Sequence, residues 1–152
     1  MTEVSFYHLL TTPLEVALPK LLERVLGLGL RAVVINPSPQ RVESLNNALW
    51  TYDPASFLPH GSAADGYPAE QPIWLTHQDE NPNGAQVAVV TDGAAVGDLG
   101  RYVRCLDIFN GGDDEAVAAA RARYRAALDL GHSLTYYRQT ETGGWEKRGN
   151  ST

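Results

Sequence analysis

Arg31-Ala32-Val33-Val34-Ile35, closed by Asn36-Pro37-Ser38-Pro39, decides how this chain folds. The run is short and nearly continuous in apolar residues, the pattern of a strand covered on both faces rather than one. Proline then breaks it, and Val42, Leu45 and Leu49 recur at helical spacing behind the break. Upstream the same unit appears first: Val4 to His8 alternates like a strand, and Leu14, Leu18, Leu21, Leu22 and Val25 form a helical stripe that ends at Gly27 and Gly29. Strand and helix therefore alternate from the start.

Downstream, Thr51 to Gln71 is rich in Pro, Gly, Ala and Ser without a period and reads as a long loop. Pro72-Ile73-Trp74-Leu75 and Gln86-Val87-Ala88-Val89-Val90 read as strands, and the turn-rich Asp79 to Gly84 between them permits an antiparallel hairpin. Gly97 to Tyr102 reads as a short helix and Val103 to Ile108 as a fifth strand. Asn110-Gly111-Gly112 then turns into a helix from Asp113 to Gly131. The order β-α-β-α-β-β-α-β-α predicts a three-layer α/β domain around a mostly parallel sheet of about five strands. One domain is expected over 1–152, with 133–152 as an extended tail in which Leu134 to Tyr137 is extended and Gly143-Gly144 turns.

The chain has 152 residues, enough for one core without metal or disulfide staples. Its single Cys105, set between Arg104 and Leu106, reads as a small buried hydrophobe, and a reducing cytoplasm is the expected setting. Nothing in the sequence is long and apolar enough to span a membrane, and the N-terminus starts at once on a strand pattern instead of an export signal. A net charge of -6 argues against broad contact with a nucleic-acid backbone, although a local basic patch can still hold an acidic peptide or a phosphate.

An α/β domain of this kind invites a search for phosphate loops. The first strand runs into Leu9-Leu10-Thr11-Thr12-Pro13, which has no glycine and no Walker lysine, while Gly27-Leu28-Gly29 follows a helix instead of a strand. His8, His60, His77 and His132 show no metal-ligand spacing, and no serine sits in a nucleophile elbow. Asp113, Asp114 and Glu115 lie where a helix start favours anions. No catalytic residue, metal set or cofactor is expected, and an interaction protein is favoured over an enzyme. The alternative is a small nucleotide- or phosphate-binding α/β enzyme.

Two surfaces stand out. At about 100° per residue, Arg121, Tyr124, Arg125 and Leu128 share one stripe of the last helix, and few acids lie at i±4 to pair with its arginines. Guanidinium forks around an aromatic ring suit a ligand that is both anionic and apolar, and Phe109 just before the helix could wall the apolar part. Arg123 faces away from this stripe. The second surface is Leu49 to His60, where Trp50, Tyr52 and Phe57 cross a helix end into a proline-bearing loop. Trp50 and Phe57 either anchor a protein interface or fold back over the sheet edge.

At these residues the sequence resembles the chi subunit family of bacterial DNA polymerase III. The resemblance rests on Val4-Ser5-Phe6-Tyr7, on Leu45 to Trp50 with Ser56-Phe57-Leu58-Pro59-His60, on Pro72-Ile73-Trp74, on Leu106-Asp107-Ile108-Phe109, and on Ala120 to Arg125 with Gly131. It implies a non-enzymatic accessory subunit of the replisome, cytoplasmic, linking the clamp-loader complex to single-stranded DNA-binding protein and meeting nucleic acid only indirectly. The implied ligand is that protein's acidic C-terminal tail, with Arg121 and Arg125 on its carboxylates and Tyr124 and Phe109 around its terminal apolar side chain. Val117 and Leu128 stand where relatives tend to carry further basic residues, which implies a thinner patch or other recruited cations. The surface matched by Trp50 and Phe57 binds the psi subunit in the family, or a helicase in some relatives.

Overall fold

The computed structural model describes residues 2–53 and 58–151, the last three as backbone. Its elements are β1 (Glu3–Leu9), α1 (Leu14–Gly27), β2 (Ala32–Ile35), α2 (Pro39–Thr51), β3 (Gly61–Ser62), β4 (Ile73–Thr76), β5 (Val87–Thr91), β6 (Arg104–Asn110), α3 (Asp114–Asp129), β7 (Ser133–Gln139) and β8 (Trp145–Ser151). The expected short helix over 97–102 is a single 3-10 turn at Leu99–Arg101.

All eight strands belong to one sheet in the order β3-β4-β2-β5-β6-β1-β7-β8, and every neighbouring pair is parallel except β7 with β8. Two expectations need correction. The sheet has eight strands instead of about five, because residues 133–151 return along the free edge of β1 as β7 and β8, and Gly61–Ser62 adds a short strand beside β4. The segment expected to be extended at Leu134 to Tyr137 lies within β7; near the edge a strand needs no continuous apolar run, so its mixed sequence did not mark it as part of the sheet.

The hairpin is also absent. β4 and β5 lie on opposite sides of β2, each parallel to it, which is why all four residues of β2 are buried. The connection from β4 returns to the start of β5 at the other end of the sheet. Asn83 anchors that return by donating to the carbonyls of Ala32 (3.0 Å) and Gln71 (2.9 Å).

One face of the sheet receives α1 and α2, whose leucine and valine stripes pack on Tyr7, Leu9, Val34, Leu75, Val89 and Ile108. Leu18 and Leu22 have no exposed surface, and burying such a side chain contributes about 1.5–3 kcal/mol. The other face, carrying Phe6, Val33, Trp74, Val90, Cys105 and Phe109, is covered by α3 and by the segment holding Ala94 and Tyr102. Cys105 is a core residue as expected, and burial pushes its thiol up to about 12.

The ends of α3 are set locally. The Asp113 carboxylate accepts from the backbone of Glu115 (3.0 Å) and Ala116 (3.5 Å), capping orphan N–H groups, and Gly131 takes φ +84°, a stop that a side chain would strain.

Candidate functional site

Parallel register arranges β6, β1 and β7 into rows of side chains beneath α3. Asp107, Phe6 and Tyr136 form one row, and Phe109, His8 and Arg138 the next, two residues nearer the carboxyl ends. Phe6 and Phe109 belong to the α3-side core, so both rows face that helix.

Tyr124 descends from α3 onto the first row. Its ring lies 5.3 Å from that of Phe6 and 6.4 Å from that of Tyr136, centroid to centroid. His8 stands between Phe109 at 5.0 Å and Tyr136 at 5.9 Å, and its Nδ1 is hydrogen-bonded to the Tyr136 hydroxyl. This aromatic cluster is the apolar floor beneath the arginine stripe. Phe109 is only 2% exposed and supports the cluster from below; Tyr124 and Leu128 are half-buried on the same flank of α3.

The three arginines of α3 divide by role. Arg123 turns to the sheet and holds Asp107 with two hydrogen bonds of 2.6 and 2.9 Å, so its charge belongs to the core. Arg121 and Arg125 are exposed and make no ion pair among the described residues. Arg138, from β7, is likewise exposed and unpaired.

Electrostatics tie Arg138 and Arg121 to one spot. His8 is pushed below its ordinary range chiefly by burial, then by Arg138, with Arg121 adding to it and a hydrogen bond to the Gly111 backbone opposing. Burial raises the Tyr136 hydroxyl, and Arg121 and Arg138 both pull against it. Cations from a helix and a strand thus face the same Tyr136–His8 pair. His8, Tyr136 and Arg138 were not singled out from sequence as binding residues, and the usable signal was the alternation of Leu134, Tyr136 and Arg138 along one strand face.

A groove of about 780 Å³ opens on the other flank of α3, between Ala119, Ala122, Ala126 and Leu130 and the 93–99 segment. It is apolar, with the Arg123–Asp107 pair at its floor, and it does not include the unpaired arginines.

At the second surface, Trp50 is 48% exposed and its ring lies 4.2 Å from that of the buried His60. Beside it a cleft between α1 and α2 carries Glu15, Glu23 and Asp53 around Val16 and Lys20. Phe57 lies outside the described residues.

In a nucleotide-binding fold the loop after β1 would cradle phosphate with its backbone N–H groups. Here the N–H groups of Leu10, Thr11 and Thr12 do converge, at 3.0, 2.9 and 3.1 Å, on the side-chain oxygen of Gln139 from β7. Gln139 also donates to the Thr12 hydroxyl (2.7 Å). Nearby, Arg41 is held by Glu15 (2.5 Å) and Asp92 (3.2 Å). The nest and its neighbouring cation are both engaged by the chain itself. Among the described residues no group of three or more His, Cys, Asp or Glu could hold a metal, and no helix is long and apolar enough to cross a membrane.

Residues 1–135 match the family described as DNA polymerase III chi subunit, HolC. The chain belongs to that family. A similar protein is the "Probable DNA polymerase III subunit chi" of Rickettsia prowazekii (strain Madrid E), 35% identical over 107 residues, which is 68% of this chain. The chain spans 65% of that relative's length. The chi family match takes in Arg121, Tyr124, Arg125 and Trp50 and ends before Tyr136 and Arg138.

Proposed function

We propose that this chi-family chain is a non-catalytic accessory subunit of bacterial DNA polymerase III, acting in the cytoplasm at the replisome. It links the clamp-loader complex to single-stranded DNA-binding protein by holding that protein's acidic C-terminal tail. The observation carrying this reading is that Arg121 and Arg125 stand exposed and unpaired beside Tyr124 and Leu128. Free guanidinium forks match carboxylates, and the half-buried ring and leucine offer an apolar seat for a terminal side chain. In a chain of net charge -6 the attraction is local, so binding weakens steeply with salt.

The test measures binding of a labelled tail peptide at low salt. Replacing Arg121 and Arg125 together with Ala should weaken binding at least about tenfold, the effect of losing a charge-assisted contact. Unchanged affinity would overturn the site.

The surface around Trp50 takes a second partner under this reading, the psi subunit or another clamp-loader component, or a helicase. A pull-down comparing Trp50→Ala with Arg125→Ala should lose two different proteins. Loss of the same one from both variants would sink the two-surface scheme. A nucleotide-binding enzyme is disfavoured by the engagement of the β1 loop with Gln139, and saturable nucleotide binding would revive it.

A further inference from the structure

We infer that Arg138 is the second cation at the peptide's terminal carboxylate, which sits between Arg121 and Arg138 above the Tyr136–His8 pair, while Arg125 meets acidic side chains further back along the peptide. This assignment rests on the tail-binding reading and refines where the carboxylate lies. Residue 138 falls beyond the 1–135 match to the family, on the seventh strand of the sheet.

Three observations carry it. Register places Arg138 opposite His8 and two residues from Tyr136, on the face that α3 covers. Arg121 and Arg138 both act electrostatically on His8 and on Tyr136, and Arg125 acts on neither. Neither Arg121 nor Arg138 has a carboxylate partner among the described residues. Two cations that act on one aromatic platform both attract an anion seated above it. Arg138 also answers the thinner basic face of α3, where Val117 and Leu128 carry no charge: a strand supplies the cation the helix lacks.

The test uses the full chain with two labelled probes at low salt, the acidic tail peptide as its free acid and as its C-terminal amide. The wild type should prefer the acid. Arg138→Ala should weaken the acid about tenfold and erase the preference, and Arg138→Lys should restore part of it. Arg125→Ala should weaken both probes alike. If Arg138→Ala kept the preference while Arg121→Ala lost it, the role of Arg138 would be wrong and the tail-binding reading would stand. If the wild type bound neither probe, that reading would fall and take this one with it.

A second readout needs no peptide. The groups facing His8 are Arg138 and Tyr136 on β7, Arg121 on α3 and the Gly111 backbone. An NMR titration of His8 should show its pKa rise in Arg138→Ala, and saturating acid peptide should raise it in the wild type. An unmoved His8 in Arg138→Ala would overturn the placement of that cation.

Discussion

Arg123 and Asp107 grip each other through two hydrogen bonds, Nε to Oδ2 at 2.6 Å and Nη2 to Oδ1 at 2.9 Å, and so bolt α3 to β6. The geometry is fork to carboxylate, with the Asp107 side chain 7% exposed and that of Arg123 26% exposed. The pair fixes how α3 is rotated. With Arg123 turned to the sheet, Arg121 and Arg125 are carried to the free flank.

Removing Arg123 leaves a buried carboxylate alone. Arg123→Ala should cost about 3 kcal/mol, the low end for a broken buried pair because Arg123 is partly exposed. Burial already raises Asp107 above its ordinary value, and the guanidinium pulls the other way. Without Arg123 the rise grows, so the folded variant binds a proton more readily than its unfolded chain. Its deficit relative to wild type should be full at neutral pH and shrink as pH falls toward 4, read by urea unfolding at several pH values.

Gln139 closes the β1 loop. Gln139→Ala should cost about 1 kcal/mol by removing the acceptor shared by the Leu10, Thr11 and Thr12 N–H groups, which lie near the surface and can turn to water. Gln139→Glu keeps the acceptor and adds charge. Several N–H donors hold a carboxylate's pKa low, so this variant should remain near wild-type stability at pH 7. Its advantage over Gln139→Ala exists above the unfolded glutamate pKa of about 4.3 and is lost as pH falls through the lower folded value. Thermal melts at pH 7 and pH 3 check both statements.

Gly111 lies against His8. A Cβ there would meet His8 Cδ2 at 2.0 Å and the Leu9 carbonyl oxygen at 2.4 Å, and the second is backbone with little room to give. Gly111→Ala should destabilise by about 1–3 kcal/mol through overpacking, and it should displace the His8 ring. Unfolding curves give the first effect, and the His8 chemical shift gives the second.

Glu15 and Arg41 join α1 to α2 at the edge of the same loop. The Arg41 hydrogen bond holds the Glu15 carboxyl below its usual value. The stabilisation is therefore present above the ordinary glutamate range and lost as pH falls through the lowered one. Both side chains keep about a third of their exposure, so Glu15→Gln should cost no more than about 1 kcal/mol at pH 7, in urea unfolding.

Much of the architecture could be read along the chain. The apolar run of β2, the leucine stripes of α1 and α2 and the capped, glycine-stopped α3 are local patterns, because helix and strand periods follow from backbone geometry within a few residues. The same periodicity by itself separates Arg121, Tyr124, Arg125 and Leu128 from Arg123. The number of strands was harder, since β7 and β8 have no unbroken apolar run to announce them.

Which side chains meet was decided by strand order. His8 and Tyr136 are 128 residues apart and touch because β7 returns beside β1. Asp107 became the partner of Arg123 only when α3 lay back across β6, and Gln139 filled the β1 loop only because the last strands joined that edge of the sheet. Register across a sheet is set by the packing of its buried faces, a cooperative property of all its strands, whereas the period of a single segment is local. The arginine stripe is therefore visible in one helix; its aromatic floor and the cation opposite it exist only once three distant strands lie side by side.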